Sequence, residues 1–215
     1  MIARRRSIST TKRLGRSRTW FPPRVIDGIC LSVVKSRDAA LRSAMANHYS
    51  LPGGFVGRSI VYSVSVGGIS YGYTTAGSAT RYLVGRAAFL CEDDCPLLDR
   101  LINNTFFHIE RVDGKYPMRN FTQRVILVWE KIAVTDWRRK YGDDPVAFET
   151  LVEPPRTGEC YLRAGWTLLP EMTKGYTCRR TAGRGSDSWT GKRVWNTTDL
   201  RPKHVLMKMV SGVVT

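Results

Sequence analysis

The sequence contains no apolar stretch approaching the length of a membrane span, so an integral membrane protein of helical type is excluded. The basic N-terminus is not followed by an apolar core, so the pattern of a secretory signal is missing. A disulfide framework is missing too: the five cysteines (Cys30, Cys91, Cys95, Cys160, Cys178) are odd in number and irregular in spacing. Cys91 and Cys95 form the one close pair. Their spacing is not that of a zinc knuckle, and no second Cys or His pair follows at a suitable distance. Reduced thiols in a soluble cytoplasmic protein are the expectation. Acids are scarce beside bases, with 18 Asp and Glu against 34 Lys and Arg, a formal net charge of +16. Such an imbalance calls for a polyanionic partner, most simply nucleic acid, with a solvated basic surface as the bland alternative and no membrane partner.

A chain of 215 residues buries one substantial core, and the cations suggest how it is divided. Residues 1–23 read as a flexible basic arm, with Arg4, Arg5, Arg6 and Arg13 placed to displace counterions from a phosphate backbone. Residues 24–172 read as the folded domain. Residues 173–215 read as a basic extension of that domain, in which Arg179, Arg180, Arg184, Lys192 and Arg193 surround Trp189. Cations there suit phosphates and exposed aromatics suit an unpaired base.

Within the domain, Ile29 to Val34 reads as a strand and Asp38 to His48 as a helix. Arg58 to Ser65 and Gly68 to Thr75 read as a hairpin turning at Gly67-Gly68, with Tyr71 and Tyr73 on one face. Thr80 to Leu90 is an apolar run, and Pro96 to Leu101 a helical turn. Asn103 to Val112 reads as one strand that brings Glu110, a candidate acid. Asn103 and Asn104 offer amides to an adenine edge, or simply make a turn. Phe121, Val125, Val128 and Ile132 make the apolar stripe of the longest helix, ending before Gly142.

Residues 145–166, PVAFETLVEPPRTGECYLRAGW, organise the rest. Alternation predicts a strand that sends Glu149 and Glu153 to one face and is stopped by Pro154-Pro155. A brief helix carrying Tyr161 and stopped by Gly165 follows, then Trp166. Thr167 to Met172 reads as the last core strand, and Val205 to Val210 as an added one. Two acids at a strand exit facing a tyrosine on the next helix make a candidate reactive site.

A strand, a short helix with a tyrosine, and a Gly-aromatic stop resemble the end of the GNAT acyltransferase fold. The order His48-Tyr49-Ser50, Asn103-Asn104-Thr105-Phe106, Arg119-Asn120-Phe121, Glu149-Thr150-Leu151-Val152-Glu153-Pro154 and Tyr161 to Trp166 narrows the match. It resembles the GNAT-like family of phage DNA-modification proteins that includes Mom of bacteriophage Mu, and a family associated with the Druantia anti-phage system. The resemblance spans residues 38 to 176. It implies an α+β fold: one GNAT-like domain whose mostly antiparallel twisted central sheet is flanked by helices. It implies acetyl-CoA or another CoA-type donor, held at the start of the long helix by Arg119, Asn120, Phe121, Thr122, Gln123 and Arg124, although the usual glycine-rich signature is absent there. It gives Tyr161 the part of acid or cofactor contact and His48-Tyr49 a place at the site, with His48 as a base or as a ligand of iron or zinc.

The function so implied is modification of adenine in DNA to an N6-carbamoylmethyl (acetamido-type) adenine, which protects phage DNA from restriction. A flipped adenine in double-stranded DNA would be the substrate, with Glu153 and Glu149 taking its proton. A GNAT N-acetyltransferase acting on a protein or small amine, and a non-enzymatic basic DNA-binding protein, are the alternatives. The oligomeric state is open, a homodimer included.

Overall fold

The computed structural model describes residues 21–48, 55, 57–81, 83, 85–91, 95–173 and 202–211. Strand β1 (Arg24–Ile26) turns back antiparallel onto β2 (Ile29–Val34), which occupies the range that apolar alternation predicts. Helix α1 (Ala39–Ala46) starts at Asp38, whose carboxylate accepts the Leu41 N–H at 3.0 Å; such a cap stabilises a helix by about 1 kcal/mol. The hairpin β3 (Ser59–Val66) and β4 (Ile69–Ser78) turns at Gly67-Gly68. Helix α2 (Arg86–Leu90) and a 3₁₀ turn (Cys95–Arg100) lead into β5 (Leu101–Asn103) and β6 (Phe107–Ile109). Then come α3 (Phe121–Tyr141), β7 (Ala147–Val152), α4 (Glu159–Arg163), β8 (Thr167–Leu168) and β9 (His204–Met209). No helix among the described residues is long and apolar enough to cross a membrane.

The strands form one sheet in the order β1-β2-β3-β4-β5-β7-β9-β8, with β6 added to β4. Every pairing is antiparallel except β5 with β7. Helices cover both faces. On one, α3 lays Phe121, Val125, Val128, Trp129, Ile132 and Trp137 against Ile60, Tyr62, Ile102, Phe148 and Leu206. Each large side chain buried this way contributes about 1.5–3 kcal/mol. On the other face, α1 packs Leu41 and Met45 on Val61 and Phe106, while Leu90 and Leu97 meet Leu101, Val205 and Met207.

Three departures from alternation shape this sheet. Val64 pairs with Gly72 but Ser65 pairs with Ser70, so Tyr71 is an extra residue in a bulge. The bulge turns Tyr71 into the α3 face, against Phe121, while Tyr73 packs near α1; the two tyrosines do not share a face. Next, the strand expected over Asn103 to Val112 is broken into β5 and β6. Residues 104–106 leave the ladder because Thr75 Oγ1 takes the Phe106 N–H at 3.0 Å and meets Thr105 Oγ1 at 2.8 Å. Finally, residues 167–172 supply only the short edge strand β8. The interior place beside β7 belongs to β9, which continues the sheet from the basic C-terminal segment.

Candidate active site

The broken strand creates the site. Leu101, Ile102 and Asn103 pair in parallel with Ala147, Phe148 and Glu149, and the Asn104 N–H still reaches the Glu149 carbonyl at 2.8 Å. Beyond that point β6 follows β4 instead, so residues 150–152 of β7 have β9 on one side and a cleft on the other. Gly72 permits this path. A Cβ there would lie 2.0 Å from the His108 carbonyl oxygen, and its φ of +132° favours glycine. The cavity between the diverging strands has a volume of about 500 Å³. It runs from Asn120, Thr122 and Gln123 at the start of α3, past Phe107, Ile109 and Tyr161, to Asn104, Arg156 and His48.

The α3 end is suited to an anion. Asn120 caps the helix in the left-handed conformation with no side-chain hydrogen bond to the first turn, and the first N–H groups of a helix have no partners within it. Gln123 Nε2 donates to the Arg163 carbonyl at 2.8 Å, tying α3 to α4 across the cleft mouth. Arg163 also lines the cavity and pairs with Glu159. Of the remaining residues assigned here from sequence, Phe121 is core, packed on Tyr71 and Tyr116. Arg119 and Arg124 are exposed beside the cavity rather than in its wall.

Tyr161 is held in the middle. Its ring packs between Phe107 and Trp166, and its hydroxyl donates to Asn104 Oδ1 at 3.1 Å. Helix α4 is clamped around it. A Cβ on Gly158 would press on Leu206 at 2.9 Å, and Lys208 Nζ donates to the Ala164 carbonyl and to Glu130, which also accepts from Trp166 Nε1. Cys160 is beside it in the cavity wall; burial pushes its thiol up to about 11, so it is not a thiolate at neutral pH.

His48 closes the far end, 8% exposed, edge-on to the Phe106 ring at 4.7 Å and the His108 ring at 5.8 Å. Burial, then the charges of His108, Arg156 and Lys203, bring its pKa down to about 4, against a hydrogen bond to the Phe107 backbone. The imidazole is neutral at pH 7. Tyr49 lies outside the described residues. Among the described residues no group of three or more His, Cys, Asp or Glu side chains is placed to hold a metal ion, so no iron or zinc site forms around His48 from them.

The three acids are dispersed. Glu149 points away from the cleft into a fully buried ion pair with Arg86 at 2.8 Å, and accepts the Thr80 N–H at 2.6 Å and Asn103 Nδ2 at 3.0 Å. Burial raises its pKa, while Arg86 and Thr80 pull it back. Glu153 lies past the end of β7, buried, with Lys203 Nζ at 3.8 Å. It is not in the cavity wall, although its neighbours Pro155 and Arg156 are. Glu110 is a largely exposed partner of His108 at 2.7 Å, also outside the wall. Both asparagine amides have partners inside the chain: Asn103 with Thr80 and Glu149, Asn104 with Thr74 and Tyr161. Arg4, Arg5, Arg6, Arg13, Arg179, Arg180, Arg184, Trp189, Lys192 and Arg193 lie outside the described residues.

Sequence reading missed Thr74, Arg86, Thr150 and Arg156. Arg86 carried a signal: a cation inside the apolar run RYLVGRAAFL is rarely buried without a buried acid to meet it.

No family model matches the chain, and no curated protein matches it. Solved structures do. A mutant of spermidine N-acetyltransferase from Vibrio cholerae aligns with a TM-score of 0.51 at 8% identity, over 86% of this chain and 95% of that one. A GNAT family acetyltransferase from Elizabethkingia anophelis with acetyl-CoA bound aligns at 0.48 and 9% identity, over 86% and 99%. A probable GNAT acetyltransferase from Chromobacterium violaceum aligns at 0.47 and 11%, over 97% and 96%. None of these speaks for the Mom or Druantia-associated families in particular. At such identities the likeness is one of architecture, and the chain has the single-domain α+β fold of the GNAT acetyltransferases.

Proposed function

We propose that this protein is an N-acyltransferase that moves an acyl group from a coenzyme A-type donor to an amine. The observation that carries the reading is the cleft between β6 and β7, open at one end to the α3 N-terminus and at the other to a neutral histidine. The residues fit such a donor. The N–H groups at the start of α3, with Arg163 in the wall and Arg119 and Arg124 beside it, suit a pyrophosphate. The cleft-facing edge of residues 150–152 offers backbone groups to an extended amide-containing arm. When bound, the donor supplies a thioester carbonyl as acyl source. Tyr161, in the wall midway along, serves as the acid that protonates the departing thiolate. His48, neutral at pH 7, takes the proton of the attacking amine; its low basicity suits an amine that arrives uncharged. Glu153 stands just behind that end of the cavity, whereas Glu149 is committed to Arg86.

One observation favours a finer, second reading. The net charge of +16 has no use in acylating a free polyamine but suits a nucleic acid, so the acceptor would be adenine N6 in DNA. Acyl transfer from a thioester there gives an N6-acyl adenine; the carbamoylmethyl-type adenine of phage DNA modification has an N6–CH2 bond and would need a donor other than acetyl-CoA.

Purified protein is incubated with acetyl-CoA and, separately, with spermidine, a lysine-containing peptide and DNA; thiol release is followed and products are identified by mass spectrometry. DNA from expressing cells is digested to nucleosides in parallel. Acyl transfer to any amine, lost on the order of 100-fold in Tyr161→Phe, supports the main reading. A new deoxyadenosine species selects the second. A protein that neither binds coenzyme A nor releases thiol removes the main reading.

A further inference from the structure

Buried polar groups form a line where the cleft opens. The Tyr161 hydroxyl donates to Asn104 Oδ1 at 3.1 Å, and Asn104 Nδ2 donates to Thr74 Oγ1 at 2.9 Å. The Asn104 backbone is pinned as well: its N–H donates to the Glu149 carbonyl at 2.8 Å, and its own carbonyl accepts Thr150 Oγ1 at 2.9 Å. Thr74, Asn104 and Tyr161 are at most 4% exposed. A hydroxyl has one proton and two lone pairs. With its proton on Asn104, Tyr161 offers lone pairs, not a proton, to a group in the cleft.

The same three side chains have a second arrangement with the same two hydrogen bonds. Rotating the carboxamide half a turn exchanges Oδ1 and Nδ2 in nearly the same volume, and the Thr74 hydroxyl accepts in one arrangement and donates in the other. After the turn, Nδ2 donates to the phenol oxygen, and the Tyr161 proton is available to the cleft.

We propose that Asn104 is a positioning residue whose amide reverses the hydrogen-bond chain Thr74–Asn104–Tyr161, converting Tyr161 from proton acceptor to proton donor toward the cleft. The inference rests on the acyl-transfer reading. In the step it serves, the amine nitrogen bonds to the acyl carbon, the carbon–sulfur bond breaks and its electron pair leaves on sulfur. The Tyr161 proton goes to that thiolate, Asn104 Nδ2 donates to the phenolate left behind, and His48 takes the amine proton. Exchange with solvent then restores both residues.

Asn104→Asp keeps the shape and removes the donor, because a carboxylate only accepts. Two readouts follow. In the free protein, a pH titration of ¹³C-tyrosine NMR signals, with Tyr161 identified by its loss in Tyr161→Phe, should place the Tyr161 transition at higher pH in Asn104→Asp, since a neighbouring negative charge disfavours the phenolate. In turnover, kcat should fall on the order of tenfold to a hundredfold while KM for the acyl donor holds, and the alkaline limb of the pH profile should move up. Should Asn104→Asp not fold, Thr74→Val tests the same chain: kcat falls there and is kept in Thr74→Ser. Unchanged Tyr161 titration and kcat in a folded Asn104→Asp protein overturn the inference and leave the acyl-transfer reading standing. A wild-type protein without donor binding or thiol release removes both.

Discussion

Glu149→Ala gives the sharpest test of what the acid on β7 does. Glu149 and Arg86 are both fully buried, and the carboxylate also holds the Thr80 N–H and the Asn103 amide. Truncating it leaves a guanidinium in the interior without its counter-charge, which costs about 3–5 kcal/mol. For a chain of this size each kcal/mol moves Tm by about 2–4 °C, so a fall of about 6–20 °C is expected by circular dichroism or calorimetry. Urea titration should show the same loss with an unchanged slope. Arg86→Met combined with Glu149→Leu should be less destabilised than the sum of the single variants, with a coupling on the order of 2 kcal/mol. It should not return to wild type, because the Thr80 N–H loses its acceptor, at about 1–3 kcal/mol, and the Asn103 amide keeps only the Thr80 hydroxyl. A carboxylate that takes a proton from substrate would behave otherwise: Glu149→Ala would keep Tm and lose turnover. That pair of results refutes the assignment to the ion pair.

Other consequences are equally measurable. His48 has a folded pKa of about 4 against 6.5 in the unfolded chain. The unfolded state therefore binds the proton first, and stability present above pH 6.5 is lost as pH falls toward 4, on the order of 3 kcal/mol in all. His48→Gln should flatten that part of the stability–pH curve, and coincident curves for the two proteins contradict the burial of a neutral imidazole. Gly72→Ala places a methyl group where the His108 carbonyl already is, at a φ of +132°. Backbone strain of about 1–3 kcal/mol is expected, with β6 pushed from β4 and weaker coenzyme A binding by calorimetry. Unchanged Tm and unchanged binding would show that the strand is free to move.

Much of the scaffold is legible in the sequence because local pattern and tertiary demand agree there. Ile29 to Val34 alternates over the whole of β2, the stripe from Phe121 to Ile132 lies on the buried side of α3, and Gly165 ends α4 as its position suggests. Legibility fails where one element departs from its own periodicity. The bulge at Tyr71 reverses a face that alternation assigns the other way, and the gap after Asn103 depends on a hydroxyl from Thr75, about thirty positions earlier in the chain. The place of β9 between β7 and β8 has no local signal at all. The site divides in the same manner. Tyr161, His48 and the start of α3 were visible as motifs and line one cavity. Glu149 reads as reactive from sequence because an acid on a strand needs a reason, and that reason is Arg86, 63 positions away in sequence.

The interior position of β9 bears on how the protein is made. A ribosome delivers β7 well before β9, and until the later strand arrives β7 presents an unpaired edge next to Phe148 and Val152. Closing so long a connection is slow relative to forming the β3–β4 hairpin, so the half-built sheet is the stage most exposed to aggregation and most dependent on chaperones.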